Sequence, residues 1–327
     1  MTGLAATLSH LAQLRRQYTF GALDGSETPN LVEVAGFGSN PGALRMLTHV
    51  PAALPTGAAL VVVLHGCSQT AAAYDHGAGW SQLADRHGFA VLLPEQGRGN
   101  NANLCFNWFH PEDTARGEGE ALSIRQMIGH MAATHAIDPA RVFITGLSAG
   151  GAMTAAMLAA YPEVFAGGAI IAGLPVGAAS SAHGALEAMF QGRSRTAAEW
   201  GDMVRAASSH HGPWPFVQIW QGDADSTVRP SNAGELVKQW ANVQGLPATP
   251  TWIDVVDGAA HQAWRGRDGE IALEVFRVPG LAHGVPLETT SADQNHASGA
   301  AGPFMLEGGI SSTWYIAHAF GLLGDAA

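Results

Sequence analysis

Arg141-Val142-Phe143-Ile144-Thr145-Gly146-Leu147-Ser148-Ala149-Gly150 is the stretch on which the fold turns. Its first five residues read as a strand, and the chain from Ala152 to Tyr161 reads as a helix. Between them lies a Gly-x-Ser-x-Gly pentapeptide. With 41 glycines in the chain, that pattern alone is weak, and its context carries the reading. A strand that passes straight into a helix makes a sharp turn. That turn forces Ser148 into an unusual backbone conformation, while Gly146 and Gly150 remove side chains that would strike neighbouring backbone. The hydroxyl is then exposed and the helix N-terminus is aimed at whatever reacts with it. Ser148 is therefore the expected nucleophile; the competing reading is a glycine-rich packing turn.

Other strands surround this one. Ala59-Leu60-Val61-Val62-Val63-Leu64-His65-Gly66-Cys67 begins as an apolar, β-branched run without alternation, the mark of a strand buried on both faces. Phe89 to Pro94 reads likewise, and Ala169 to Ala172 and Pro215 to Trp220 read as further strands. Helical segments fall at Trp80 to His87 and at 120–135, where Leu122, Met127, Ile128 and Met131 share one side. Strands alternating with helices predict an α/β fold, a mainly parallel central sheet with helices on both faces. Residues 4–17 predict a short amphipathic helix, and 18–56 an edge hairpin with its clearest strand at Leu44 to His49. From Gly173 to Trp214 the pattern lapses apart from a helical piece near 197–207, so 173–214 reads as either a lid or a plain surface insertion. No linker or repeat interrupts residues 1–327, which are read as a single catalytic domain.

Composition narrows the partners. Charged residues make up 13% of the chain and hydrophobic residues 47%, about half the usual charged share, which describes a compact globular protein. A formal net charge of −11 without a basic run disfavours nucleic acid. No apolar stretch is long enough to span a bilayer, and the first residues lack the charged and apolar regions of a signal peptide. The spacing of Cys67 and Cys105 does not suggest zinc, there is no His-Glu-x-x-His, and the adjacent His210-His211 do not share a helical face. No metal and no cofactor are expected.

A serine hydroxyl needs a base, and the base needs a carboxylate to fix its tautomer. On an elbow of this kind the partners follow in the order serine, acid, histidine. Gly222-Asp223-Ala224-Asp225 trails the strand ending at Trp220 and offers two acids. Asp225 is favoured, with Asp223 capping the loop. For the base, His283 follows the strand Ala272 to Val278 by a short loop, where a histidine reaches back over the sheet's C-terminal edge. His261, placed in a turn between Thr251–Val256 and Ala272–Val278, is the main alternative, ahead of His296 and His318. The tetrahedral intermediate needs two N–H donors, assigned to Ala149 and Cys67, with His65 orienting the loop.

The sequence resembles the polyhydroxybutyrate (PHB) depolymerase-like esterases, a branch of the α/β-hydrolase superfamily that also contains feruloyl and related carbohydrate esterases. The likeness rests on Leu64-His65-Gly66-Cys67-Ser68-Gln69, Asn107-Trp108-Phe109 after Cys105, Gly146 to Gly151, Tyr161-Pro162 with Phe165, Gly222-Asp223-Ala224-Asp225 with Val228, and His283-Gly284. It implies the α/β-hydrolase fold, the triad Ser148, Asp225 and His283, an oxyanion donor at Cys67, and hydrolysis of short-chain hydroxyalkanoate or other carboxylic esters. A feruloyl or other carbohydrate esterase is the nearest alternative, with an amide-polymer hydrolase and a non-catalytic binding protein behind it. The resemblance suggests an extracellular protein, although no signal peptide is visible. The sequence shows neither a polymer-binding domain nor a Ser/Thr-rich linker, which favours soluble oligomers or small esters over granules. Cys67 and Cys105 fall within the shared motifs, so a bridge between them would pin the oxyanion loop; the alternative is two buried thiols. Trp108 and Trp264, placed in loops, are candidates for lining a substrate groove, against the commoner role of tryptophan in core packing.

Overall fold

The computed structural model describes residues 31–290 and 299–323. The helix expected at 4–17 and His296 lie outside the described residues. The strands, in chain order, are β1 (Val32–Val34), β2 (Arg45–His49), β3 (Ala58–Leu64), β4 (Ala90–Glu95), β5 (Ile137–Leu147), β6 (Gly167–Ile171), β7 (Phe216–Gly222), β8 (Trp252–Val256), β9 (Ala259–Arg265), β10 (Ile271–Val278), β11 (Val285–Leu287) and β12 (Met305–Glu307). Ten of them form one sheet in the order β1-β2-β4-β3-β5-β6-β7-β10-β9-β8, and β11 and β12 pair separately. The run from β4 to β10 is parallel throughout. Antiparallel strands close both ends: β1 and β2 beside β4, and β9 and β8 beside β10.

The central strands lack alternation because both of their faces are covered. Leu60, Val62 and Leu64 of β3 point into one apolar layer with Ile144, Met153, Met157, Val217 and Ile219. Val61 and Val63 point into the other, with Trp80, Leu83, Phe143, Trp220 and Phe276. Each fully buried aliphatic side chain of this kind contributes about 1.5–3 kcal/mol. The helix Ala149–Ala160 is buried along its whole length. Its neighbour β6 begins with Gly167-Gly168, and a Cβ on Gly168 would stand 2.7 Å from Leu158 Cδ1. Small residues thus let this helix lie close to the sheet.

Several elements differ from their sequence-based expectation. β3 stops at Leu64, and His65-Gly66-Cys67 turns away, with Gly66 N–H donating to Gln69 Oε1 at 2.8 Å and Ser68 at φ 65°. On the helix Gly119–Thr134 the buried stripe runs through Ala121, Ile124, Ile128 and Met131, while Leu122 is only partly buried. Residues 251–278 form three strands, not two separated by a turn. Asp257 and Gly258, at φ 46° and 79°, make a two-residue connection between β8 and β9, the hairpin geometry that an Asp-Gly pair favours. His261 and Trp264 therefore lie within β9.

Between 173 and 214 the chain forms two helices, Ala182–Gln191 and Ala197–Ala206. The second is opened by a capping box in which Thr196 and Glu199 satisfy each other's backbone N–H. Trp200 and Val204 are fully buried beside Leu236 and Trp240 of the helix Ser231–Val243. Trp200 Nε1–H donates to Glu235 Oε2 at 2.7 Å, fastening this segment to the helical layer.

Candidate active site

The C-terminal ends of the parallel strands deliver the chemistry. β5 ends at Leu147, and Ser148 sits at the head of the helix Ala149–Ala160 with φ 58° and ψ −115°. A side chain rarely adopts that backbone, and the surroundings hold it there. Ser148 N–H donates to Ile171 O at 2.9 Å, tying the turn to the end of β6. A Cβ on Gly146 would stand 2.6 Å from Gly150 C, and one on Gly150 would strike Leu64 O. Both glycines of the pentapeptide are thus required by backbone approach, as is Gly151, whose Cβ would meet Ile171 O at 2.8 Å.

Two strands along, the loop after β7 carries both aspartates, and they do different things. Asp225 is 2% exposed. Its Oδ1 accepts from the N–H groups of Thr227 and Val228, each at 2.8 Å, and its Oδ2 accepts from Gln221 Nε2 at 3.1 Å. The same Oδ2 lies 2.7 Å from His283 Nδ1. Such a carboxylate, fixed by three donors, holds the imidazole with its proton on Nδ1 and leaves Nε2 as the basic atom. Asp223 instead accepts from Gly280 N–H in the loop leading to His283. Gly222 lets that loop come close, since a Cβ there would collide with Leu281 O. Among the described contacts Ser148 Oγ makes no hydrogen bond to His283; catalytic contacts of this kind commonly tighten only with substrate bound.

The loop after β3 is held from two sides. Cys67 is bonded to Cys105, a bridge spanning 38 residues. His65 is buried, its Nε2 accepting from Gln96 N–H at 3.1 Å and its Nδ1–H donating to Gly66 O at 2.8 Å. Burial holds this imidazole below its ordinary value, and an Nε2 that accepts a backbone N–H belongs to a neutral, structural ring. Around Cys67 the backbone donors of Gly66, Ser68 and Gln69 are all engaged, with Gln69 Oε1, Asn103 O and Gly66 O respectively. Ala149, in the first turn of its helix, has an N–H with no intrahelical acceptor.

The remaining expected residues fall elsewhere. His261 is part of a separate cluster on the sheet: its Nδ1 lies 2.7 Å from Asp254 Oδ1, and its Nε2 lies 3.3 Å from Glu274 Oε1. Its ring stacks on Phe276 with centroids 4.4 Å apart. Trp264 is 2% exposed within β9 and belongs to the core, not to a groove. Trp108 does lie in a loop, three residues past Cys105, but is 9% exposed and packs against the same core. No group of three or more potential metal ligands occurs among the described residues, and no described helix is long and apolar enough to cross a membrane.

Three polar residues escaped the sequence reading. Gln221 supports Asp225, and Gln96 and Glu120 form a buried network under the 96–108 loop. Glu120 accepts from Gln96 Nε2, Asn107 N–H and Asn100 Nδ2 at 2.6, 2.9 and 3.1 Å. Burial pushes its carboxyl up to about 8 against the pull of those donors. The one available signal was an acid at the apolar edge of a helix, beside Ala121 and Ile124.

The chain is similar to known esterases in sequence and in structure. The family described as esterase PHB depolymerase matches residues 46–263. The chain is 46% identical over 305 residues to poly(3-hydroxyalkanoate) depolymerase C of Paucimonas lemoignei, covering 93% of this chain and 73% of that protein. It is 34% identical to feruloyl esterase B of Thermothelomyces thermophilus, covering 78% of this chain and 88% of that one. Among solved structures, the acetyl xylan esterase from Aspergillus awamori superposes with a TM-score of 0.72 at 28% identity, over 78% of this chain and 94% of that one.

Proposed function

This chain belongs to the esterase PHB depolymerase family, and from that premise we propose that it hydrolyses hydroxyalkanoate esters through an acyl-enzyme on Ser148. It is a carboxylic ester hydrolase of the α/β-hydrolase fold. The observation that carries the residue assignment is the 2.7 Å contact between His283 Nδ1 and Asp225 Oδ2, on the same sheet edge to which β5 delivers Ser148.

In the first half-reaction His283 Nε2 takes the proton from Ser148 Oγ as the oxygen attacks the ester carbonyl. The oxyanion is received by the N–H groups of Ala149 and Cys67. His283 then protonates the departing alcohol, and a water activated by the same nitrogen hydrolyses the acyl-enzyme. Asp225 keeps the imidazole oriented through its Nδ1 and stabilises the imidazolium.

The substrate rests on the Paucimonas relative, a poly(3-hydroxyalkanoate) depolymerase matched over most of this chain. A feruloyl or acetylxylan esterase activity is the second reading, favoured by the lower-identity matches. Ser148→Ala is expected to abolish p-nitrophenyl butyrate turnover with an unchanged circular dichroism spectrum; retained turnover would refute the nucleophile. Initial rates on hydroxybutyrate oligomers, polymer film and feruloyl esters decide the substrate, and faster cleavage of the feruloyl esters would reverse the order of the two readings.

A further inference from the structure

Two routes lead from Cys67 to one buried carboxyl. The covalent route crosses the Cys67–Cys105 bridge into the 103–107 segment, where Asn107 N–H donates to Glu120 Oε2 at 2.9 Å. The hydrogen-bonded route runs back from Gly66 O to His65 Nδ1–H at 2.8 Å, then from His65 Nε2 to Gln96 N–H at 3.1 Å. The Gln96 side chain completes it, one Nε2–H donating to Glu120 Oε1 at 2.6 Å and the other to Cys105 O at 3.0 Å. Glu120 is 0% exposed, His65 1% and Gln96 2%, so water does not compete for these bonds. In such surroundings a satisfied polar network holds its members in one arrangement.

We propose that Glu120 is a positioning residue for the oxyanion donor at Cys67, the anchor at which the covalent and hydrogen-bonded routes meet. An oxyanion donor is effective because it already points at the place where charge develops, and a displacement of a fraction of an ångström weakens it. Glu120 touches no reacting atom; it fixes both ends of the segment that fixes the loop. The inference rests on the assignment of Cys67 N–H to the oxyanion.

The test compares Glu120→Met, Gln96→Met and Gln69→Ala with the parent enzyme. Both methionine substitutions keep side-chain volume and remove the polar link whatever the protonation of the carboxyl. Gln69→Ala removes the acceptor of Gly66 N–H inside the loop itself. For each, kcat and KM on p-nitrophenyl butyrate are measured with the Ki of a trifluoromethyl ketone, whose tetrahedral adduct mimics the intermediate. Circular dichroism and melting temperature identify folded variants, and Gln96→Met carries the test if Glu120→Met does not fold. The expected result is a roughly tenfold fall in kcat with KM unchanged and a parallel rise in Ki for the two methionine variants. A parent-like Ki in both, with a raised Ki in Gln69→Ala, overturns the role of Glu120 and leaves the oxyanion loop standing. A parent-like Ki in all three variants overturns the loop assignment, and the positioning role with it.

Discussion

Ser148 combines two demands that oppose each other. Its φ of 58° with ψ −115° is a conformation that costs a residue with a side chain about 1–3 kcal/mol, yet the same turn raises its hydroxyl above the sheet. Ser148→Ala retains that strain and Ser148→Gly relieves it, so the glycine variant is expected to melt higher than the alanine variant by scanning calorimetry; equal or reversed melting temperatures would show the turn to be unstrained. Asp225→Asn replaces an acceptor with an amide and favours the wrong tautomer of His283. A fall in kcat of about 10⁴ is expected in steady-state assays, as for a carboxylate-to-amide change in other triads. At this scale the sequence was informative about residue types and less so about choices between neighbours. Asp223 and Asp225 were both candidates for the acid, with Asp225 favoured and Asp223 read as capping the loop. They are separated by the backbone: Thr227 and Val228 turn their N–H groups onto Asp225, while Asp223 reaches Gly280. Glu120 was hidden because its partners, Gln96 and Asn107, belong to a loop that pattern alone does not fold.

Among the elements, the strands of the parallel core were legible, β3 and β4 most plainly, because strands buried on both faces leave continuous apolar runs. The β8–β9 hairpin was not, since β9 reads Ala-Ala-His-Gln-Ala-Trp-Arg and carries little β-branched character, although Asp257-Gly258 marked its turn. That hairpin holds a titratable cluster. Burial pulls His261 down, but the hydrogen bonds and charges of Glu274 and Asp254 outweigh it and leave the group raised. Glu120, on the helix Gly119–Thr134, is raised chiefly by burial, from 4.5 to about 8. Both groups bind their proton more tightly in the folded state. Each therefore adds stability that is complete below its unfolded value and lost as pH rises through its folded one. For Glu120 that window runs from 4.5 to about 8; for His261 it opens at 6.5 and extends upward. Melting temperatures across pH 5 to 9 are expected to fall less steeply in Glu120→Met than in the parent. An unchanged slope would place the loss elsewhere.

Over the whole molecule, a net charge of −11 surrounds a site whose proposed ester substrates are neutral. A hydroxybutyrate oligomer bearing a free carboxylate is repelled at low ionic strength, and salt screens that repulsion over a Debye length of about 10 Å at 0.1 M. Its KM is expected to fall as salt is added while that of the corresponding methyl ester stays flat; parallel behaviour of the two would exclude long-range charge from substrate choice. The Cys67–Cys105 bridge acts at the same scale, closing a loop of 38 residues. Cross-linking a loop of that length restricts the unfolded chain by about 4 kcal/mol in the chain-entropy treatment. Its consequence for anyone producing the enzyme is practical. A batch made in a reducing cytosol and one made under oxidising conditions share every peptide bond and differ in one sulfur–sulfur link, which decides how firmly the loop proposed to receive the oxyanion is tethered. Specific activity is then expected to depend on redox history as well as purity, and mild oxidation of the reduced batch is expected to finish the protein, not to repair it.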